Sequence, residues 1–275
     1  MSTLHYDLVV FKAYSPGYSC NNNVVVIDIT RHSDKSSGTR VSSGICSSLL
    51  SIESSDWNLF YSLCNIKLDS IKNILKSIFC DKSYDAFFIL LLVEDQELAS
   101  VASNSCISND FQRCILVYCF ENSNKYAQSL DACSTSNLSR MFYYKKTTEK
   151  EKTYIVDTLA YAFLRHSLVC VDISDLFSVL RGNFCCAAFL CSSYSKSNLV
   201  LNDFVKNNKV LLERSSGVFM CLAYNKFINF SIDDIDILAK AISSNLNKDT
   251  RFLFSVGYQR ELDFEFQCVL FVEVH

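Results

Sequence analysis

The chain has 275 residues, of which 49% are hydrophobic and 13% aromatic, and its formal net charge is −3. These values exclude a disordered chain and offer no basic surface for nucleic acid, and the length allows one large core or two modest ones. The longest apolar run has eight residues, too few to span a bilayer, and residues 1–20 lack the apolar stretch of a secretion signal. We therefore expect a cytoplasmic protein with two subdomains, no nucleic-acid partner and no direct insertion into a membrane.

Cysteine is abundant in this chain and glycine is scarce. The 14 cysteines include no C-x-x-C pair and the four histidines are scattered, so we expect reduced thiols that pack as small apolar residues and no metal site. Six glycines are few for a fold that needs positive φ angles or close backbone approach to a ligand. The shortage of glycine therefore bears on function.

The first half of the chain alternates predicted strands and helices. In chain order these are strands at Tyr6–Lys12 and Asn23–Ile29, a helix from Leu68 to Phe79, and strands at Ala86–Val93, Cys114–Phe120 and Met141–Tyr144. The continuous apolar runs of the middle strands are typical of parallel strands covered on both faces. This βαβ pattern predicts a parallel sheet.

The strand at Ala86–Val93 is followed directly by four polar residues, Glu94, Asp95, Gln96 and Glu97. Ligands of parallel sheets bind at the carboxyl ends of strands, and nucleotide-binding sheets place glycines there so that backbone N–H groups can approach phosphate. At an effective dielectric near 20, a carboxylate about 4 Å from a phosphate charge costs on the order of 4 kcal/mol. The segment is therefore expected to disfavour phosphate. It also suits the acidic first turn of a helix, and the two interpretations are compatible.

The second half begins with a long predicted helix, from about Thr148 to Arg165, in which apolar pairs recur every four residues. The elements predicted after it are a helix at Ser174–Leu180, a strand at Phe184–Cys191, a helix at Leu199–Val210, a strand at Gly217–Tyr224, a helix from Ser231, and strands at Arg251–Gly257 and Glu265–Val274.

The helix that begins at Ser231 has the clearest start signal in the chain. Asp234 stands three residues after Ser231, which is a variant of the capping box. The apolar residues predicted to share one face are Ile232, Ile235, Leu238, Ala241 and Ile242.

The segment LVCVDISDLFSVL resembles the loop N-x-D-F-A-D-V-x-x-V-M of FtsZ, the bacterial relative of tubulin, with Asp172 and Asp175 on the two aspartates. The stretch from Gly217 to Val274 is similar to the final strand, helix, strand and strand of that family. The resemblance implies an FtsZ/tubulin-like α/β fold. It comprises a parallel-sheet, Rossmann-type domain at residues 1–147, a central helix at 148–166, and a smaller α+β domain at 167–275 with a mostly antiparallel or mixed sheet.

The resemblance also implies a role for the two aspartates. In FtsZ and tubulin this loop acts in trans, reaching into the nucleotide pocket of the neighbouring subunit and helping to orient the attacking water. Asp172 and Asp175 are therefore candidate catalytic residues acting on the GTP of a partner. The structural alternative is that Asp172 caps the following helix and complements its positive end.

Other nucleotide contacts of the family are replaced in this chain. The glycine loop G-G-G-T-G-T-G is VEDQELA here, and the family's first glycine loop would fall near KAYSPGYSC, which keeps only Gly17. Ser42–Ser51 echoes a glycine-rich loop with serines in place of glycines. Glu149 and Lys150 stand where an Asn-Asp pair reads guanine, and Cys170 replaces the asparagine of the aspartate loop.

Three functional hypotheses remain open. The first is an FtsZ-like pseudo-GTPase without a bound cofactor, which binds an FtsZ-type filament or a paralogue through its subunit-contact faces. The second is a divergent FtsZ homologue that binds GTP and Mg²⁺, hydrolyses GTP and forms homo-oligomeric polymers. The third is an unrelated α/β protein.

Overall fold

A computed structural model describes residues 5–14, 23–31, 57–80, 88–93, 98, 101, 114–120, 139–145, 158–159, 162, 167–169, 171–180, 185–192, 198–225, 231–259 and 266–274. The chain divides into two compact units, Met1–Thr153 and Tyr154–His275. No helix within these described ranges is long and apolar enough to cross a bilayer.

The described part of the first unit is built on one sheet. Its elements are β1 (His5–Tyr14), β2 (Asn23–Arg31), β3 (Trp57–Lys67), α1 (Leu68–Cys80), β4 (Phe88–Val93), β5 (Cys114–Phe120) and β6 (Ser139–Lys145). The strand order is β3-β1-β2-β4-β5-β6. Strands β2, β4, β5 and β6 are mutually parallel, which confirms the predicted parallel sheet for this part of the unit.

Two strands of the first unit depart from that pattern. β1 is antiparallel to both β2 and β3, and β3 had no counterpart among the predicted strands. The register of β1 against β3 shifts between Tyr6 and Leu8, and Asn65 of β3 has a φ of 60° there. Asparagine tolerates this left-handed conformation, and such a bulge is common on a strand at a sheet edge.

The described part of the second unit has a mixed sheet, as expected. Its elements are β7 (Ser167–Val169), α2 (Ile173–Val179), β8 (Cys185–Ser192), α3 (Asn198–Glu213), β9 (Ser215–Asn225), α4 (Ile232–Ser243), β10 (Arg251–Gln259) and β11 (Phe266–Val274). The strand order is β8-β11-β9-β10-β7. Only the pair of β9 and β10 is parallel among these described strands.

The central strands β9 and β11 are buried on both faces. On one face, Leu222 and Leu270 pack in a cluster with Leu238 of α4 and Leu212 of α3. On the other face, the rings of Phe219 and Phe271 stack with centroids 6.0 Å apart. Helices therefore cover both faces of this sheet, because α2 and the buried helical residue Thr158 contact it on the Phe219 side.

Helix α4 confirms the predicted start and corrects the predicted face. The Ser231 side chain accepts from the Asp234 N–H and the Asp234 side chain accepts from the Ser231 N–H, so the capping box is complete. Ile235, Leu238 and Ile242 are buried, but Ile232 is 79% exposed, so its grouping with them on one face was wrong. Three residues advance a helix by about 300°, which rotates Ile232 roughly 60° from Ile235 and 120° from Leu238.

The long helix predicted from Thr148 to Arg165 lies mostly outside the described residues. Thr158, Leu159 and Ala162 are helical, and the first two are buried. The Nε2 amide of Gln267, a fully buried residue of β11, donates to Oγ1 of Thr158 over 2.6 Å. This hydrogen bond fixes Thr158 to the sheet of the second unit.

Candidate functional site

Asp172 and Asp175 form a reciprocal capping box at the start of α2. Oδ1 of Asp172 accepts from the Asp175 N–H at 2.8 Å, and Oδ2 of Asp175 accepts from the Asp172 N–H at 3.4 Å. Asp172 has extended backbone angles (φ −90°, ψ 167°), as an N-cap residue requires. The capping role considered for Asp172 is therefore present in the geometry. Both residues are exposed, so their negative charge also faces solvent.

The opposite side of α2 is buried in the second unit. Leu176 and Leu180 have no exposed surface, and Val179 is 6% exposed. The Leu176 N–H donates to Asp172 O at 3.2 Å, and the Leu180 N–H donates to Leu176 O at 2.9 Å. The helix thus presents two carboxylates at its start while its apolar side chains hold it in the core.

The C-terminal end of α2 lies directly against β9 at Gly217. A Cβ atom at this position would lie 2.0 Å from the carbonyl oxygen of Val179 and 3.1 Å from Oε2 of Glu273. Only glycine allows so close an approach of helix backbone to strand. This is one of the few glycines in the chain, and it serves packing in the second unit.

Arg251 links four segments at the same place. Its Nη1 donates to the Ser178 carbonyl of α2, its Nε donates to Ser216 O at 3.3 Å, and its Nη2 pairs with Oε2 of Glu273 at 2.8 Å. The Glu273 side chain is fully buried in β11, and no donor among the described residues reaches its Oε1. The Arg251–Glu273 ion pair therefore lies beside the C-terminal end of α2. The two aspartates lie at the N-terminal end of the same helix.

The segment before α2 is also tied to β10. Val169 of β7 pairs with Val256, and Oγ of Ser255 donates to Val169 O at 3.2 Å. The chain is consequently anchored to the second unit on both sides of the aspartate pair, by β7 before it and by α2 after it.

In the first unit, the carboxyl ends of the parallel strands define the second place of interest. β2, β4, β5 and β6 end at Arg31, Val93, Phe120 and Lys145, along one edge of the sheet. The degenerate loop Glu94–Glu97 follows Val93 but lies outside the described residues. Ser42–Ser51, Gly17, Glu149, Lys150 and Cys170 also lie outside them.

The strand directions correct one expectation about this edge. Because β1 is antiparallel to β2, Tyr14 at the end of β1 pairs with Asn23 at the start of β2. The end of β1 is therefore at the edge opposite to Val93, so KAYSPGYSC does not follow a strand in the position of a first phosphate loop. That position follows β2, and Ser42–Ser51 is a later part of the segment that leaves β2.

The two described thiols are buried and do not form a reactive pair. Cys221 pairs with Val269, and Leu222 pairs with Cys268, so the two cysteines point to opposite faces of the sheet. Burial raises the pKa of Cys268 to about 12 and, together with the neighbouring Cys268, raises the pKa of Cys221 well above its ordinary value. Core packing, as predicted, is confirmed for these two residues. Across the described ranges, no three His, Cys, Asp or Glu side chains come close enough to hold a metal ion.

Sequence reasoning found the two aspartates but missed the residues that hold their helix. The signals were a glycine inside the apolar strand β9 and a glutamate near the end of the apolar strand β11. A strand glycine often marks close backbone approach, and a buried charge needs a partner.

The parallel α/β sheet of one unit and the mixed sheet of the other are features of an FtsZ/tubulin-like fold. No family model and no curated protein sequence matches the chain. Solved structures do match, and two are from M. jannaschii. An FtsZ point mutant gives a TM-score of 0.56 at 9% identity over 75% of this chain and 70% of that chain. An empty FtsZ dimer gives 0.56 at 11% identity over 75% and 67%.

A third match is a TubZ structure. TubZ of Bacillus thuringiensis serovar israelensis, in GDP-form protofilaments, gives a TM-score of 0.52 at 10% identity over 75% of this chain and 67% of that chain. The chain therefore has an FtsZ/tubulin-like fold, as the resemblance of its second half implied.

Proposed function

We propose that this protein is an FtsZ-like pseudo-GTPase that acts as a cell-division or cytoskeletal interaction protein. It binds an FtsZ-type filament, or a paralogue, through retained subunit-contact faces and carries no nucleotide of its own. The matched proteins include an FtsZ dimer and TubZ protofilaments, so the proposal also includes self-association of this chain.

The observation that carries the proposal is the sequence that follows β4. This strand lies between β2 and β5 and is parallel to both. Its last residue, Val93, therefore lies at the centre of the edge where such sheets bind phosphate. The next residues are Glu94, Asp95, Gln96 and Glu97, with no glycine among them. Each carboxylate about 4 Å from a phosphate opposes binding by on the order of 4 kcal/mol, which corresponds to about three decades of affinity.

The second support is the exposed acid pair at the start of α2. Asp172 and Asp175 are solvent-facing, ordered by each other and held by a buried helix side, as suits residues that act on a neighbouring molecule. Their role in the proposal is to reach the GTP of a bound partner and to orient water there.

One observation favours the alternative of a divergent, active GTPase that polymerises. β2 ends at the same edge as β4, and Ser42–Ser51 belongs to the segment that follows it. Backbone N–H groups of a serine-rich loop can bind phosphate, as can those of a helix start, and Mg²⁺ would accompany the nucleotide.

Binding of fluorescent GTP with Mg²⁺ distinguishes the pseudo-GTPase hypothesis from the active-GTPase alternative. The pseudo-GTPase hypothesis expects no binding at micromolar nucleotide and no pelletable filaments of the protein alone. Micromolar binding that is lost in Glu94→Arg or Asp95→Arg, but kept in the matched charge change Asp69→Arg on the exposed face of α1, would contradict it.

Co-sedimentation with an authentic FtsZ tests the partner. The informative variant is Asp172→Ser with Asp175→Gln, because it removes both charges and keeps an S-x-x-Q capping box. We expect this variant to fold normally and to change the GTP turnover of the partner, whereas Asp234→Gln, which removes a charge from the box of α4, leaves turnover unchanged. Equal turnover with the wild-type protein and the double variant would remove the trans role.

A further inference from the structure

We propose that Arg251 and Glu273 are positioning residues for the acid pair: they fix the C-terminal end of α2 and thereby set where Asp172 and Asp175 stand. The effect on a partner's GTP rests on the function proposed above. The mechanical part, that this ion pair controls the position of α2, is independent of it.

The first step is the length of α2. It has seven residues, and helices shorter than about 12 residues are not stable by themselves in water. Its capping box and its hydrogen bonds are internal, so they order the helix without fixing it in the unit. Its position is therefore decided by contacts with the sheet.

The second step is the end of the helix. The last carbonyls of a helix lack intrahelical partners and carry partial negative charge, which favours a cation there. Nη1 of Arg251 donates to one of them, Ser178 O, while the next carbonyl, Val179 O, lies over Gly217 where a Cβ would otherwise be. The Arg251 guanidinium and the close contact at Gly217 together fix the position of this end of the helix.

The third step connects this end of the helix to the acid pair. Ser178, whose carbonyl accepts from Arg251, donates its own Oγ to the carbonyl of Asp175 at 2.7 Å. Asp175 in turn exchanges hydrogen bonds with Asp172. A chain of hydrogen bonds therefore runs from Arg251 through Ser178 to the backbone carbonyl of Asp175, the residue that shares the capping box with Asp172.

The fourth step explains Glu273. Its side chain has no exposed surface, and a hydrophobic residue in its place is often at least as stabilising as a buried ion pair. Its Oε2 holds Nη2 of Arg251 at 2.8 Å and lies 3.1 Å from the position of a Cβ on Gly217. The carboxylate thus orients the guanidinium toward Ser178 O. Groups that act on a bound molecule need such support, because a displacement of about 0.5 Å is enough to impair them.

Amide hydrogen exchange tests the mechanical part. The probes are the Leu176 and Leu180 amides of α2, and the internal reference is the Ile235 amide of α4, which follows the same type of capping box on the other sheet face. In Glu273→Gln we expect exchange at the α2 amides to accelerate by at least about tenfold relative to α4, as for a locally opened segment. Glu213→Gln, at an exposed ion pair of α3, is the matched control and should change neither.

Two further variants keep the proposal falsifiable if Glu273→Gln folds poorly. Arg251→Lys keeps the charge and one donor, and should retain more α2 protection than Arg251→Met. Gly217→Ala changes no charge and should accelerate exchange at α2 by displacing Val179. Unchanged α2 exchange in the folded variants, or an equal rise in α2 and α4, would overturn the proposal.

The turnover of a partner FtsZ then separates this inference from the proposed function. If Glu273→Gln loosens α2 and alters partner turnover as the double aspartate variant does, both hold. Accelerated α2 exchange without any effect of either variant on turnover would support the positioning role and contradict the trans role.

Discussion

Arg251 and Glu273 form an ion pair with 2.8 Å between Nη2 and Oε2, yet their surroundings differ sharply. The Glu273 side chain is 0% exposed, whereas the Arg251 side chain is 32% exposed. Loss of the arginine leaves the buried Glu273 carboxylate without its ion-pair partner. Loss of the glutamate leaves a guanidinium that water can still reach. The two halves of this pair should therefore not contribute equally to stability.

We expect Arg251→Met to destabilise the protein by about 3–5 kcal/mol, the range for breaking a buried pair so that one charge remains unpaired. Glu273→Gln keeps an acceptor of the same shape and should cost only about 1.5–3 kcal/mol, the contribution of a hydrogen bond to a charged group. Urea unfolding of the three proteins measures the difference. A larger loss in Glu273→Gln than in Arg251→Met would show that the asymmetry of exposure does not govern the pair.

Two isoleucines of α4 offer a matched comparison of burial. Ile242 is 1% exposed and belongs to the cluster between α3, α4 and the sheet, whereas Ile232 is 79% exposed. Ile242→Ala should destabilise by about 2–5 kcal/mol through lost burial and the cavity left behind. Ile232→Ala should stay within about 0.5 kcal/mol of wild type. Similar midpoints for the two variants in thermal or urea unfolding would contradict the orientation of this helix.

Cys268 predicts a dependence of stability on alkaline pH. Burial raises the pKa of its thiol to about 12 from an ordinary 9.0, so the folded state binds this proton more tightly than the unfolded state. The contribution is complete below about pH 9 and is lost as pH rises toward 12, with a limit of about 4 kcal/mol. Because lysines and tyrosines also titrate there, the measurement is the difference in slope between wild type and Cys268→Ala in urea unfolding from pH 8 to about 11. Parallel slopes would refute this linkage.

The capping box of α4 should be measurable on its own. Ser231→Ala removes the side chain that accepts from the Asp234 N–H and should cost about 1 kcal/mol. Ser243→Ala at the exposed end of the same helix is the control, since its hydroxyl donates to the Lys240 carbonyl over a long 3.3 Å. Equal effects of the two substitutions on the free energy of unfolding would argue against a role of the cap.

Local order in this protein follows from local sequence. The capping boxes at Asp172 and Ser231 join residues three positions apart, and the apolar runs at Ala86–Val93 and Cys114–Phe120 predicted buried parallel strands. These features depend on neighbouring residues, whose side chains decide backbone conformation before any distant contact forms. The order of elements in the second unit from α2 onward was predicted for the same reason, whereas β7 was not predicted.

Long-range pairing had to come from the tertiary structure. Three features depend on residues far apart in the chain: the direction of β1, the edge position of β3 and the contact of α2 with Gly217. Arg251 meets Ser178 across 73 positions, and no periodicity carries that information. Sequence fixes which residues are apolar, small or charged, but which of them meet is decided by the register of the whole sheet, because each pairing is stable only when the others form with it.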